Sequence, residues 1–261
     1  MIQSVPGDIQ VNIPFSMLRT GYLHRFIRRR LNPEIGMDAE SLDTCPPPDF
    51  REIAGKLRGA GLIVTLHAPF NDLSPGSIDA RIRAVTRKRF EQVLRLIPVF
   101  RPRAVVCHAA YEARRYGYVR DAWIENSLEM WSWFGSRVRD MGSLLTLENV
   151  FEQGPDDIRV LFENLPGVGF CLDTGHVAAF SNTPMETWIA SLGSRLAQLH
   201  LHDNKGSADE HLGLGKGTID FKELLSRVKT VKERPPIITL EPHREADLKP
   251  SLEYLARVWP W

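Results

Sequence analysis

Six short aliphatic runs in this chain each end on a side chain able to bind a metal ion. His67 closes Leu-His-Ala-Pro, His108 Cys-His-Ala, Glu148 Leu-Glu-Asn, Asp173 Leu-Asp-Thr-Gly-His, His200 Leu-His-Leu-His-Asp and Glu241 Leu-Glu-Pro. Carboxylates supply charge and neutral imidazole a borderline-soft nitrogen, a combination that suits zinc, manganese and similar first-row divalent ions. His176 follows Asp173 by three residues, past a glycine expected to turn the chain sharply back toward the same pocket. Asp209 and His211 lie farther on, ahead of the glycine-rich stretch Gly213-Leu-Gly-Lys-Gly217. A lone histidine at a strand end is more often a hydrogen-bonded structural residue than a ligand; six ligand-type ends in register argue against that reading here. His202 shares the face of His200 and is expected to support a ligand rather than to be one. Cys107 and Cys171 read as buried small hydrophobes, and His24 and His243 carry no assignment.

These groups are far apart in the chain, so the elements that carry them must converge. Strands are expected over Ile9 to Phe15, Glu34 to Met37, Leu62 to His67, Ala104 to His108, Leu144 to Glu148, Val168 to Asp173, Leu196 to His202 and Ile237 to Glu241. Between them lie stretches with helical spacing of apolar residues, among them Ser77 to Phe100, Val119 to Met141 and Phe221 to Lys232, the last opened by Asp220 as a cap. Strand and helix alternating about eight times implies parallel pairing through right-handed crossovers. The fold class is therefore α/β, a (β/α)8 TIM barrel forming one domain over residues 1–261, with an open doubly wound sheet as the alternative. Barrel sites are built at the C-terminal ends of the strands, where these six side chains fall. Leu145-Thr-Leu-Glu148 and Ile238-Thr-Leu-Glu241 repeat one pattern, and the period of two places Thr and Glu on one face.

Composition narrows the class further. The chain has 261 residues, 43% of them hydrophobic and 25% charged, and a formal charge of +1, so no global excess of charge points to nucleic acid. Three scattered cysteines make no disulfide framework, and no signal pattern or spanning apolar run is evident, so a cytoplasmic protein without a membrane partner is expected. The Arg28-Arg-Arg30 cluster reads as a solvated helix end. Trp123, Met130, Trp131, Trp133 and Phe134 crowd one helix; they read first as core and second as the contact of a homo-oligomer.

The residues from His67 to Glu241 resemble the xylose isomerase-like barrel superfamily, which includes sugar phosphate isomerases and epimerases and endonuclease IV. The most specific stretch runs from His200-Leu-His-Asp-Asn-Lys through Asp209-Glu-His-Leu-Gly-Leu-Gly-Lys-Gly-Thr-Ile-Asp-Phe. On the isomerase side the resemblance implies one divalent ion on Glu148, Asp173, His200 and Glu241. On the endonuclease IV side it implies three zinc ions on those four together with His67, His108, His176, Asp209 and His211. Between one and three zinc or manganese ions per chain are thus expected. The chain departs from endonuclease IV at its first strand, where Val11-Asn-Ile-Pro-Phe-Ser stands in place of a His-Val-Ser-Ala segment.

Two chemistries follow from the resemblance. A sugar or sugar-phosphate isomerase or epimerase would use Glu148 and Glu241 as an acid/base pair on opposite sides of the substrate, with Lys205, Lys216 and His202 at the substrate. Glycines of the loop would admit backbone N–H groups to a phosphate. A trinuclear zinc phosphodiesterase of the apurinic endonuclease type would use Glu148 as a bridge between ions, and only this alternative calls for nucleic acid. Tyr111, Arg114, Arg115 and Tyr116 are then the nearest thing to a DNA-facing surface, or equally a sugar-phosphate grip. The isomerase is the first expectation from sequence. A binding protein with a filled coordination shell and no reaction is the third class.

Overall fold

Eight aliphatic strands, buried on both faces, form the scaffold of this computed structural model, which describes residues 9–261; the first eight residues of the expected domain lie outside the described residues. The strands are β1 (Ile9–Pro14), β2 (Asn32–Gly36), β3 (Thr65–His67), β4 (Ala104–His108), β5 (Leu144–Glu148), β6 (Val168–Asp173), β7 (Leu196–Leu201) and β8 (Ile237–Leu240). Each pairs in parallel with the next and β8 pairs with β1, so the sheet closes and the open-sheet alternative is excluded. Parallel strands covered by crossover helices need apolar side chains outward, and Val105, Leu147, Phe170 and Leu199 are buried accordingly.

The inward face is polar. Gln10, Glu34, Thr65, Thr146, Gln198, His200 and Thr239 are all buried, which is the unusual feature of this barrel. Thr146 donates to Gln198 Oε1 at 3.4 Å and Thr239 to Glu34 Oε2 at 3.1 Å, so the repeated Thr-Leu-Glu pattern does put its threonines on the interior side. The second strand begins earlier than its aliphatic residues suggested, at Asn32, because Pro33 is tolerated opposite Val11 at the N-terminal end of the ladder. Glu34 therefore stands mid-strand, opposite Asn12 and Thr65. The third strand is shorter than expected, and the seventh and eighth stop before His202 and Glu241, which step past the last paired residue.

Two long helices, Ala80–Phe100 and Arg120–Asp140, cover β3 to β5 from outside. Trp123, Met130, Trp131 and Phe134 are buried and Trp133 lies half-buried beneath the Arg87 guanidinium at 3.8 Å, so this aromatic helix packs into the protein's own core. Phe90 stacks on Phe134 at 4.7 Å, and a second aromatic layer, Phe15 on Phe50 at 4.4 Å, closes the β1 side. Arg28 and Arg29 end the helix Leu23–Arg29, and Arg30 caps it in a left-handed conformation, as a solvated helix end should. Among the described residues no helix is long and apolar enough to cross a membrane.

The loop that leaves β7 is organised by one buried carboxylate. Asp203 accepts backbone N–H bonds from Asn204 at 3.0 Å, Gly215 at 3.0 Å, Gly217 at 2.8 Å and Ile219 at 3.2 Å. A Cβ on Gly217 would lie 2.1 Å from the Asn204 carbonyl oxygen, so only glycine lets the backbone come this close. Gly215 and Gly217, among the loop glycines expected to open backbone donors to a phosphate, thus spend theirs on Asp203. Asp203→Ala, leaving several buried N–H groups without a partner, is expected to destabilise the fold by about 3 kcal/mol. Urea unfolding at neutral pH checks this, and a change below about 0.5 kcal/mol would refute it.

Candidate metal centre

The C-terminal mouth gathers all nine residues that the sequence singled out. Glu148, delivered by β5 and almost wholly buried, is the hub. Its Oε2 lies 3.1 Å from His67 Nε2, 3.8 Å from His108 Nε2 and 3.3 Å from His200 Nδ1, and its Oε1 lies 3.1 Å from His176 Nδ1. His200 Nδ1 is also 3.1 Å from Glu241 Oε1 and 3.9 Å from Asp173 Oδ2. Asp209 Oδ2 stands 3.5 Å from His176 Nε2 and 3.1 Å from His211 Nε2.

His176 arrives by a different route from the one expected. Asp173 caps the short helix Thr174–Phe180, its Oδ1 accepting from His176 N at 2.7 Å, and the first helical turn carries His176 back over the strand end. Gly175 serves proximity and not a turn: a Cβ there would lie 1.9 Å from His202 Cε1. His202 in turn holds Asp173, with Nε2 3.0 Å from Oδ1. His211 adopts a left-handed backbone at φ 48°, and its ring is sandwiched between His202 and His243, each at 3.8 Å. Left-handed strain of this kind persists where the surroundings impose it.

Three buried polar atoms in this pocket have no hydrogen-bond partner: His200 Nδ1, His202 Nδ1 and Asp209 Oδ1. Orphaned donors and acceptors are rare in folded proteins and call for an explanation such as an ion. Carboxylate oxygens and imidazole nitrogens fall within 4.8 Å of one another in several groups, including His67/Glu148/His200, Glu148/Asp173/His176 and His176/His202/Asp209/His211. The donor set therefore fits divalent ions, with the residues of each group able to hold one.

Electrostatics point the same way. Burial opposes the charge on Glu148 and Asp173, yet His200 and His108 around the first, and His176 and His202 around the second, hold both carboxyls below their usual range. Burial likewise disfavours charged His200, His176 and His211, but facing carboxylates raise all three. His108, buried and facing other imidazoles, is pushed down to about 3. Glu241 goes the other way: burial raises it, with Asp173 and Glu148 adding to the rise against His200.

Several residues escaped the sequence reading. Glu34 lies beneath His200, its Oε1 3.0 Å from Nε2; burial opposes its charge, but His200 brings it down to about 2. The one signal for it was an acid inside a strand pattern. Gln198 was more legible, because Gln198, His200 and His202 share one face by the period of two. Asn12 donates to Glu241 Oε1 at 3.1 Å. Glu152 accepts from Tyr111 N at 3.0 Å and Val150 N at 2.6 Å, tying the β4 and β5 loops together, and burial lifts its carboxyl to about 7. Phe70, 46% exposed, stacks on His108 at 4.3 Å and forms an apolar lip.

Of the four residues expected as a grip after β4, Tyr111 and Tyr116 are buried, the first edge-on to Trp123 at 4.8 Å and the second bonded to Ser74 at 2.6 Å. Packing claims them, and only Arg114 and Arg115 face outward. Lys205 is exposed, 3.8 Å from Glu210, and Lys216 pairs with Asp247.

Fold and cluster together define a (β/α)8 barrel with convergent metal-ligand chemistry at its C-terminal mouth. A family model described as xylose isomerase-like TIM barrel matches residues 33–258, and the chain belongs to that family. It is 29% identical over 177 residues to the uncharacterized protein MJ1614 of Methanocaldococcus jannaschii, covering 64% of this chain and 68% of that one. It is 28% identical over 220 residues to a probable endonuclease 4 of Mycobacterium leprae, covering 77% and 82%. Among solved structures, the TTHB071 protein of Thermus thermophilus, from crystals soaked with zinc chloride, superposes with a TM-score of 0.83 at 25% identity over 97% of this chain and 98% of that one. A D-tagatose 3-epimerase-like protein, 22% identical, shares the fold with a TM-score of 0.82 over 97% of each chain.

The raised imidazoles have a consequence for the ion-free protein. A raised histidine stabilises the fold below its unfolded value near 6.5, and that stability is lost as pH rises through the folded value. Ion binding must displace those protons. Zinc added at pH 7 is expected to release protons, read by calorimetry in buffers of different ionisation enthalpy, and apparent affinity is expected to fall as pH is lowered. Binding without proton release would contradict the upward shift of His176, His200 and His211.

Proposed function

We propose that this protein is a divalent-metal-dependent hydrolase of phosphoesters, with zinc as the preferred ion. The observation that carries the reading is the third group, His176, Asp209 and His211, gathered beside Glu148 although an isomerase with one ion has no use for it. The placing of Glu148 supports the same reading. Each of its oxygens already faces imidazoles, Oε1 toward His176 and Oε2 toward His67 and His200, which suits a bridge between ions better than a freely titrating base. The proposal thus prefers the chemistry that the sequence alone ranked second.

Bound divalent ions would supply acidified water and charge stabilisation at the phosphoryl group. The chain supplies the rest. His67, His108 and His200 fix one oxygen of Glu148, and His176 fixes the other. Glu241, at the edge of the cluster and bonded by Asn12, would help His200 hold an ion and would accept the proton of an attacking water. Phe70 screens His108 from water. His202 orients Asp173, while Lys205 and Lys216, on releasing Glu210 and Asp247, would contact substrate phosphate. Relatives named as probable endonuclease 4 agree with phosphoester chemistry. The departure at β1 and the burial of Tyr111 and Tyr116 favour a substrate smaller than duplex DNA.

A second reading, a sugar or sugar-phosphate isomerase or epimerase, is favoured by one geometric fact: Glu148 and Glu241 approach the same His200 nitrogen, at 3.3 and 3.1 Å, and so flank one point. Structural likeness to epimerase-like proteins is likeness of fold.

Metal analysis is expected to give more than one zinc per chain, and the zinc-loaded protein to cleave bis(p-nitrophenyl) phosphate or a phosphomonoester. Glu148→Gln should lower that rate by at least about 1000-fold, since it loosens the whole cluster. One ion per chain, silence on both esters and deuterium uptake from heavy water into a ketose would instead establish the isomerase, with Glu148→Gln and Glu241→Gln each abolishing the exchange.

A further inference from the structure

The imidazoles of the cluster are oriented in two opposite ways. His67, His176 and His211 each place Nδ1 against a backbone carbonyl, Ala68 at 2.9 Å, Asn149 at 2.9 Å and Glu241 at 3.1 Å, and His176 Nδ1 shares its proton with Glu148 Oε1 at 3.1 Å. A backbone carbonyl accepts only, so it selects the tautomer with a proton on Nδ1 and leaves Nε2 for a ligand role. His200 is the reverse. Its Nε2 faces Glu34 Oε1 at 3.0 Å, and its Nδ1, without a hydrogen-bond partner, faces Glu148, Glu241 and Asp173.

Glu34 is engaged by hydrogen bonds on both oxygens in this arrangement. Besides His200, it accepts from Asn12 Nδ2 at 3.3 Å, Thr65 Oγ1 at 3.0 Å, Gln198 Nε2 at 2.6 Å and Thr239 Oγ1 at 3.1 Å. Five donors exceed the roughly four lone-pair positions of a carboxylate, so Glu34, although its oxygen lies within ligand distance of His200 and Glu241, is committed to hydrogen bonds. Gln198 Nε2 also comes within 3.2 Å of His200 Nε2, which would compete for the opposite tautomer. Its two hydrogens are already directed at Glu34 and at Thr239 Oγ1, 3.1 Å away. His200 Nε2 is therefore left to donate, and Glu34 is its acceptor.

We infer that Glu34 is a positioning residue that locks His200 as an Nδ1 ligand, making the Glu148, Asp173, His200 and Glu241 position the first and tightest of the ion sites. A carboxylate partner makes an imidazole a stronger ligand than a carbonyl partner does, and among the residues here only His200 has one on the side away from the ligand cluster. The sites that include His67 and that include His176 and His211, imidazoles oriented by carbonyls, fill after it. This inference rests on the metal-centre reading above, and the test separates the two.

Long-range proton–nitrogen NMR of nitrogen-15-labelled protein, with one and then three equivalents of zinc, reads the tautomer and bound nitrogen of each histidine. The first equivalent is expected to shift His200 Nδ1 while Nε2 keeps its proton. Glu34→Gln is expected to weaken the first equivalent by about 10- to 100-fold in chelator competition and to leave the later equivalents unchanged. Zinc on His200 Nε2, or an equal loss at every equivalent, would overturn the role of Glu34 while leaving the metal centre standing. Should Glu34→Gln fail to fold, the wild-type tautomer decides alone. Wild-type protein that binds no zinc would sink the function reading itself.

Discussion

Carboxylates and imidazoles crowded into a pocket that excludes most water dominate the energetics of this barrel. Glu34, Glu148 and Asp173 are buried and held below their ordinary range by facing imidazoles, and each would be costly without them. The imidazoles that face those carboxylates, His67, His176 and His200, are raised for the same reason. This mutual dependence explains why the interior of the barrel is lined by Thr65, Thr146, Gln198 and Thr239 where a purely structural barrel would carry branched apolar side chains. Hydrogen-bond donors are needed below the cluster to hold the charge that imidazoles balance from above.

The architecture around the pocket divides its labour. Strands deliver Glu148, Asp173, His67, His108 and His200 with little freedom, because each belongs to a paired ladder in a closed sheet. The outlying residues come on less regular backbone, and each is tied down by a specific device: the Asp173 cap for His176, the Asp203 carboxylate and the ring sandwich for Asp209 and His211. Glycines are required where chains pass within contact of those devices, at Gly175 against His202 and at Gly217 against Asn204. The aromatic layers outside the sheet keep the strands in place and contribute nothing to the chemistry.

Much of the barrel was legible because β4, β5 and β6 are uninterrupted, largely aliphatic runs with a ligand-type residue at the end, a pattern that burial on both faces demands. The second strand was expected to start at Glu34, two residues late, since a proline and an asparagine at its start look like a loop until Val11 is found opposite. That shift hid Glu34. The helix that carries His176 was read as a turn because Thr-Gly-His has poor helix propensity, and the cap from Asp173 outweighs it. Tyr111 and Tyr116 looked available for binding, and only packing against Trp123 and Ser74 shows that they are not.

The sequence by itself determined which chemical groups end the strands and, through the alternation of strand and helix, that they would meet at one mouth. It carried the membership of the family as well, since the spacing of His200, Asp209 and His211 is local. Only the tertiary structure decided which nitrogen of each histidine faces the pocket, which oxygen of Glu148 serves which neighbour, and that Glu34, from the second strand, stands beneath His200 on the seventh. The reason is physical. Strand period and propensity act over a few residues, whereas the orientation of an imidazole is set by whatever acceptor the closed sheet brings against its other edge.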